Sequence, residues 1–184
     1  MKKLFFFLLF FLPGCTIAFE KNPEYQPTLP NAQLEKTIYL KCEERFFRGS
    51  SEIGAKFEDS FTNETLTGIL PRQFLVKRPN DAQIVLEVDL KAHRRRNFIN
   101  YVFFEASFGV IPLYSALEYE LDALVYDINL KKHWRFHIEQ VGYAWNGWIS
   151  LPLLPFNYVH KTDKNIKRKM LIQLVAEMHH EGIF

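Results

Sequence analysis

From Ala82 to Ala92 the chain alternates without a break. Ile84, Leu86, Val88 and Leu90 fall on one side, and Glu87 and Asp89 fall on the other. A period of two with a single apolar side is that of a strand whose one face is covered and whose other face meets water. The pattern recurs. Leu117 to Asp127 alternates through Tyr119, Leu121, Ala123 and Val125, and His133 to Tyr143 places Trp134, Phe136 and Ile138 together. The polar stretch Asn129 to Lys132 between these two runs predicts a hairpin. Thr37 to Glu43 is a shorter strand, with Ile38, Leu40 and Cys42 on one side.

Two stretches carry the helical period instead. After Gly49-Ser50-Ser51, Ile53, Phe57 and Phe61 recur every fourth residue, which predicts a helix up to about Thr67, ended by Gly68 and Pro71. Lys164 to His180 aligns Met170, Leu171, Leu174, Val175 and Met178, with Asp163 as the expected N-cap. The order is then β-α-β-β-β-α. Strands with one apolar face need cover on one side only, and two helices supply it. The expected fold is α+β, a two-layer sandwich of a mostly antiparallel four-stranded sheet and two helices, formed by a single domain over residues 37–184.

Two apolar segments fit no regular element. Phe98 to Ala116 contains Phe103, Phe104, Phe108, Ile111 and Tyr114. Tyr143 to Val159 contains Trp145, Trp148, Leu153 and Phe156, interrupted by Pro152 and Pro155. They follow the second and fourth of the expected strands, so in an antiparallel sheet both emerge at one end. There they either complete the core or form an exposed aromatic surface. Arg94, Arg95 and Arg96 adjoin the first segment, and Lys164, Lys167 and Arg168 follow the second, giving that end a basic rim.

The amino terminus supplies an address. Lys2 and Lys3 precede the apolar run Leu4 to Leu12, and Leu12-Pro13-Gly14-Cys15 closes it. This tripartite layout is that of a secretory signal, and its apolar run is too short for a spanning helix. Its end resembles the lipobox of bacterial lipoproteins. The resemblance implies cleavage after residue 14, acylation of Cys15 and residence in the bacterial cell envelope, with the membrane as a partner through the N-terminal lipid. Thr16 follows the cysteine where, in enterobacteria-like sorting, Asp marks inner-membrane retention; the expected location is therefore the outer membrane rather than the inner. The element order also resembles that of small outer-membrane assembly lipoproteins. Residues 15–36, with Pro23, Pro27 and Pro30, read as a lipidated tether reaching roughly 60 Å if extended, the alternative being an ordered arm laid along the domain.

Without Lys2 and Lys3, 21 basic residues face 21 acidic ones. A near-neutral chain has no global field to draw it to nucleic acid, and none is expected as a partner. Chemistry is as sparse. His133 and His137 stand about 13 Å apart on a strand, too far to share a zinc ion. No His-Glu-x-x-His, paired Cys-x-x-Cys, P-loop or Gly-x-Ser-x-Gly pattern occurs. Glu118, Glu120 and Asp122 line the solvated face of a strand, and Cys42 reads as a small buried hydrophobe. No catalytic residue, metal or cofactor is expected. The expected function is non-enzymatic: binding an envelope protein or lipid partner through the aromatic end, in a structural or assembly role. The alternative is a carrier whose aromatic segments line a pocket for an apolar ligand.

Overall fold

A computed structural model describes residues 16–22, 24, 26–28, 36–48, 51–52, 61–70, 74–147 and 159–183. The class is α+β, but the sheet is larger than expected and mixed. It contains β1 (Thr16–Glu20), β2 (Ile38–Arg48), β3 (Ser51–Glu52), β4 (Leu75–Val76), β5 (Ile84–Arg96), β6 (Leu113–Asp127) and β7 (Lys132–Asn146). Among the described residues three α-helices accompany it: α1 (Phe61–Ile69), α2 (Phe98–Ala106) and α3 (Val159–His180). The strand order is β1-β7-β6-β5-β2-β3, with β4 pairing beside β2.

This arrangement corrects the four-stranded, mostly antiparallel sandwich with two helices. β5, β6 and β7 do form an antiparallel meander. β2, however, runs parallel to β5 over its full length, Ile38 opposite Ile84 and Arg48 opposite Arg94. The cause lies in the connection, because a strand that hands over to a helix crossing the sheet resumes in its original direction. α1 is that crossing element; Ser51 and Glu52, where the helix was expected to start, form β3, and Ile53 and Phe57 lie outside the described residues. The second correction concerns the tether. Its first residues are strand β1, paired antiparallel with β7 from Thr16 opposite Asn146 to Glu20 opposite Gly142. The third is α2, a helix where an irregular segment was expected.

The inner face of the sheet carries the core. Ile84, Leu86, Val88 and Leu90 of β5 pack with Tyr119, Leu121, Ala123 and Val125 of β6 beneath Met170, Leu171, Leu174 and Met178 of α3. α3 comes very close to β7 at Gly142, where an added Cβ would stand 2.9 Å from Ile166 Cδ1 and 3.1 Å from the Phe19 carbonyl oxygen. Its carboxyl end closes with Gly182 at φ +68. The Ile183 amide donates to the Met178 carbonyl (3.1 Å), and the Ile183 side chain is buried in the core.

Asp127 builds the β6–β7 turn. Its carboxylate accepts from the amides of Asn129 and Leu130, both at 2.9 Å, and from Lys36 Nζ at 2.9 Å. Burial pushes its pKa upward, yet the Leu130 amide, Lys36 and the Asn129 amide outweigh it and hold the group below the usual carboxylate range. A carboxyl with a depressed folded pKa contributes stability that is complete above its unfolded value, about 3.9, and is lost as pH falls through the folded value. Asp127→Asn should therefore flatten the acid limb below about pH 4. Urea midpoints measured against pH check this, and an unchanged acid limb would mean that the turn is held by other groups.

Candidate functional site

The antiparallel meander brings the aromatic segments together. β5 ends at Arg96 and β6 starts at Leu113, opposite Asn146 near the end of β7. Residues 97–112 and 145–147 therefore share one end of the sheet. Asn97 caps α2 by accepting from the Ile99 amide (2.9 Å). With its side-chain amide turned to the orientation that suits both neighbours, Asn100 donates to the Pro112 carbonyl (3.3 Å) and accepts from the Tyr114 amide (2.9 Å), pinning α2 to the start of β6.

A tightly bonded turn succeeds α2. The Gly109 amide donates to the Phe104 carbonyl (2.9 Å) and the Val110 amide to the Ser107 carbonyl (3.2 Å). Ser107 Oγ donates to the Phe104 carbonyl (3.1 Å) and accepts from the Ile111 amide (2.9 Å). Gly109 has φ +80, and Phe108, unusually for a bulky residue, has φ +53. Gly147 lies against this turn, where an added Cβ would stand 3.0 Å from the Gly109 carbonyl oxygen.

This ordered structure presents apolar side chains outward. No residue of α2 is buried. Phe98 is 77% exposed, Phe103 55%, Phe108 74% and Val110 67%. Ile111, Tyr114 and Trp145 are also exposed, and Phe104 is half-buried. Trp148, Leu153 and Phe156 lie outside the described residues. Sequence reasoning placed Phe98 and Ile99 in the first apolar segment but missed that they open a helix, which the capping Asn97 could have flagged. It also missed Phe19, which enters from β1, whose brief alternation was the available signal; Ile17 of the same strand is fully buried. On the outer face beside this end, Phe19 meets Trp145 edge-on (5.9 Å between ring centroids), and Tyr114 stacks on Tyr143 (5.4 Å).

The basic rim is corrected in part. β5 continues through the arginines, so they alternate. Arg94 and Arg96 take the side of Leu86 and Leu90 and are half-buried, with Arg94 Nε donating to Ser115 Oγ (3.1 Å). Arg95 faces outward, its side chain 74% exposed, and its Nε is 2.8 Å from Glu118. Lys164 and Arg168 are exposed on α3. Lys167 is not: it is 3% exposed, 2.5 Å from Glu44 and 2.8 Å from Asp163, with Nζ 4.6 Å from the centre of the Phe46 ring. Asp163 is no N-cap either, because α3 starts at Val159; it accepts from Lys167 and from Tyr119 Oη (2.8 Å). The early turns of α3 lie against β1, with Thr162 Oγ1 donating to the Ala18 carbonyl (3.1 Å) and Lys169 2.5 Å from Glu20.

The outer face is charged along its middle. Arg45 pairs with Asp89, Lys91 with Asp122 (2.9 Å) and Lys41 with Glu87 (3.3 Å). His137 bridges Glu139 (3.0 Å) and Asp122 (2.9 Å), and those hydrogen bonds raise its pKa. Among the described residues no group of three His, Cys, Asp or Glu side chains could hold a metal ion. The Cys42 thiol is pushed up to about 12, first by burial and then by the Glu44 carboxylate, so it is a poor nucleophile.

No protein-family model and no curated protein matches this chain. Solved structures show distant likeness. One is a neuraminyllactose-binding hemagglutinin homolog from Helicobacter pylori, 11% identical over 84% of this chain and 89% of that one, with a TM-score of 0.45. Another is an uncharacterized protein at 10% identity, covering 85% and 95%, with a TM-score of 0.35. A third is a PelC dodecamer from Paraburkholderia phytofirmans at 12% identity, covering 88% and 94%, with a TM-score of 0.29. All three fall below a TM-score of 0.5, and none defines a family or a function for this chain.

Proposed function

We propose that this chain is a lipid-anchored protein of the bacterial cell envelope, held by an acyl group on Cys15, and that it acts by binding through its apolar end rather than by catalysis. The observation that carries this reading is α2. A helix apolar on nearly every side belongs in an apolar surrounding, yet this one is capped, pinned and ordered at the surface. The charged groups of the outer face are engaged in cross-strand ion pairs, as on the solvated side of a sheet.

Cys15→Ser tests the anchor. Oxygen does not replace the thiol as acyl acceptor, so the variant should lack the lipid mass on its amino terminus and escape cleavage by the lipoprotein route. A cleaved, membrane-bound product of unchanged mobility from this variant would sink the reading.

A further inference from the structure

We infer that the occupant of the apolar end is the bilayer itself: α2 and the turn at 107–111 seat in the interfacial layer of the same membrane that holds the Cys15 lipid. This rests on the anchoring proposed above and adds the surface that completes it. The pairing of β1 carries the argument. Thr16 lies opposite Asn146 and Ile17 opposite Trp145, so the chain enters the sheet at the end that bears α2. Cys15 is one peptide unit from Thr16, about 3.8 Å between Cα atoms. An acyl chain on it would hold this end, and no other, against the membrane.

The chemistry of the end suits an interface rather than a span or a protein groove. α2 has nine residues, about 13 Å of helix, where a bilayer core needs about 20 residues. Within 97–112 Glu105 is the lone charged residue, and it is exposed. A carboxylate there can stay at headgroup level while its neighbours enter the acyl boundary. Phe98, Ile99, Tyr101, Val102 and Phe103 spread over an arc of about 200° of the helix circumference, since successive residues turn by about 100°. A protein partner seated against one side would leave several of them in water, whereas a fluid acyl layer surrounds a protruding helix on all its exposed sides. Tyr114 and Trp145 stand beside it on the sheet's outer face, and Arg95 adjoins them. Tyr, Trp and Arg are the residues that favour the boundary with lipid phosphates.

The test uses the mature acylated protein on vesicles of phosphatidylethanolamine and phosphatidylglycerol that carry a lipid-borne nitroxide quencher. A fluorophore is attached at Phe103→Cys, at Phe108→Cys or, as a control in the turn at the opposite end of the sheet, at Leu130→Cys. Cys42, with its raised pKa, stays unlabelled. Labels at 103 and 108 should be quenched several-fold more than the label at 130. If the lipid mass is present and the protein floats with the vesicles, yet the three labels are quenched alike, the bilayer seat is wrong and the anchor stands. If a photo-crosslinker carried at Phe103→Cys instead captures a second copy or a co-purified protein, and the fluorophore at 103 escapes quenching, the occupant is a protein. Absence of the lipid mass overturns both the anchor and the seat.

Discussion

Replacing Leu86 with Asp should abolish folding under ordinary conditions, whereas Glu87→Ala, one residue away, should change stability by less than about 0.5 kcal/mol. Leu86 is fully buried in β5, opposite Leu40 of β2 and Val125 of β6 and within the core that α3 covers. Its loss forfeits about 2 kcal/mol of apolar burial, and a carboxylate without a partner adds several more. A domain of this size has only about 5–15 kcal/mol to lose. Glu87 points outward, and its contact with Lys41 is half-exposed, a pair worth about 0–1 kcal/mol. Circular dichroism and urea midpoints compare the two. Equal damage from both would mean that β5 is buried on both faces, contrary to a sheet whose outer face meets water.

Removing Lys167 from the Glu44–Lys167 pair should cost about 3–5 kcal/mol, because the Glu44 carboxylate would be buried without its counterpart, whereas removing Glu44 leaves Lys167 its contact with Asp163 and should cost less. Both side chains are almost fully buried. Glu44 also lies 3.4 Å from Thr62 Oγ1, and Lys167 lies 2.8 Å from Asp163, so the pair joins β2, α1 and α3. Lys167→Met should be severe and Glu44→Gln milder, while the double variant should recover much of the loss seen in Lys167→Met. A double-mutant cycle on urea unfolding measures the coupling. If Lys167→Met alone unfolds at the wild-type midpoint, the lysine is not held in this network.

The alternating strands were legible because a half-buried strand writes its exposure into a period of two. The same logic could have found the ion pair. Glu44 shares parity with Ile38, Leu40 and Cys42, and Lys167 shares the stripe of Met170, Leu171 and Leu174; a charge on each apolar stripe signals a buried partner. Arg94 and Arg96 likewise share parity with Leu90. Other features leave no such trace. The parallel pairing of β2 with β5 is a choice of neighbour, which periodicity within either strand does not encode. α2 escaped because residues apolar on nearly every side leave no stripe against a polar background. β1 escaped because five residues ahead of three prolines give alternation too little length. For the candidate site, the aromatic residues could be read from sequence, but their ordered exposure and their closeness to Thr16 required the fold.

The edge pairing of β1 also has a mechanical side. Any force transmitted between residue 15 and the domain enters through the hydrogen bonds of Thr16–Glu20 to β7, with Lys169–Glu20 and Thr162–Ala18 as side ties to α3. Pulling along the strand direction loads those bonds together, in shear, rather than opening them one after another. β1 would then be a clasp that resists extraction from a membrane. Its slip would leave the Gly142–Asn146 edge of β7 bare, with Tyr143 and Trp145 beside it, an open edge of the kind that recruits a foreign strand.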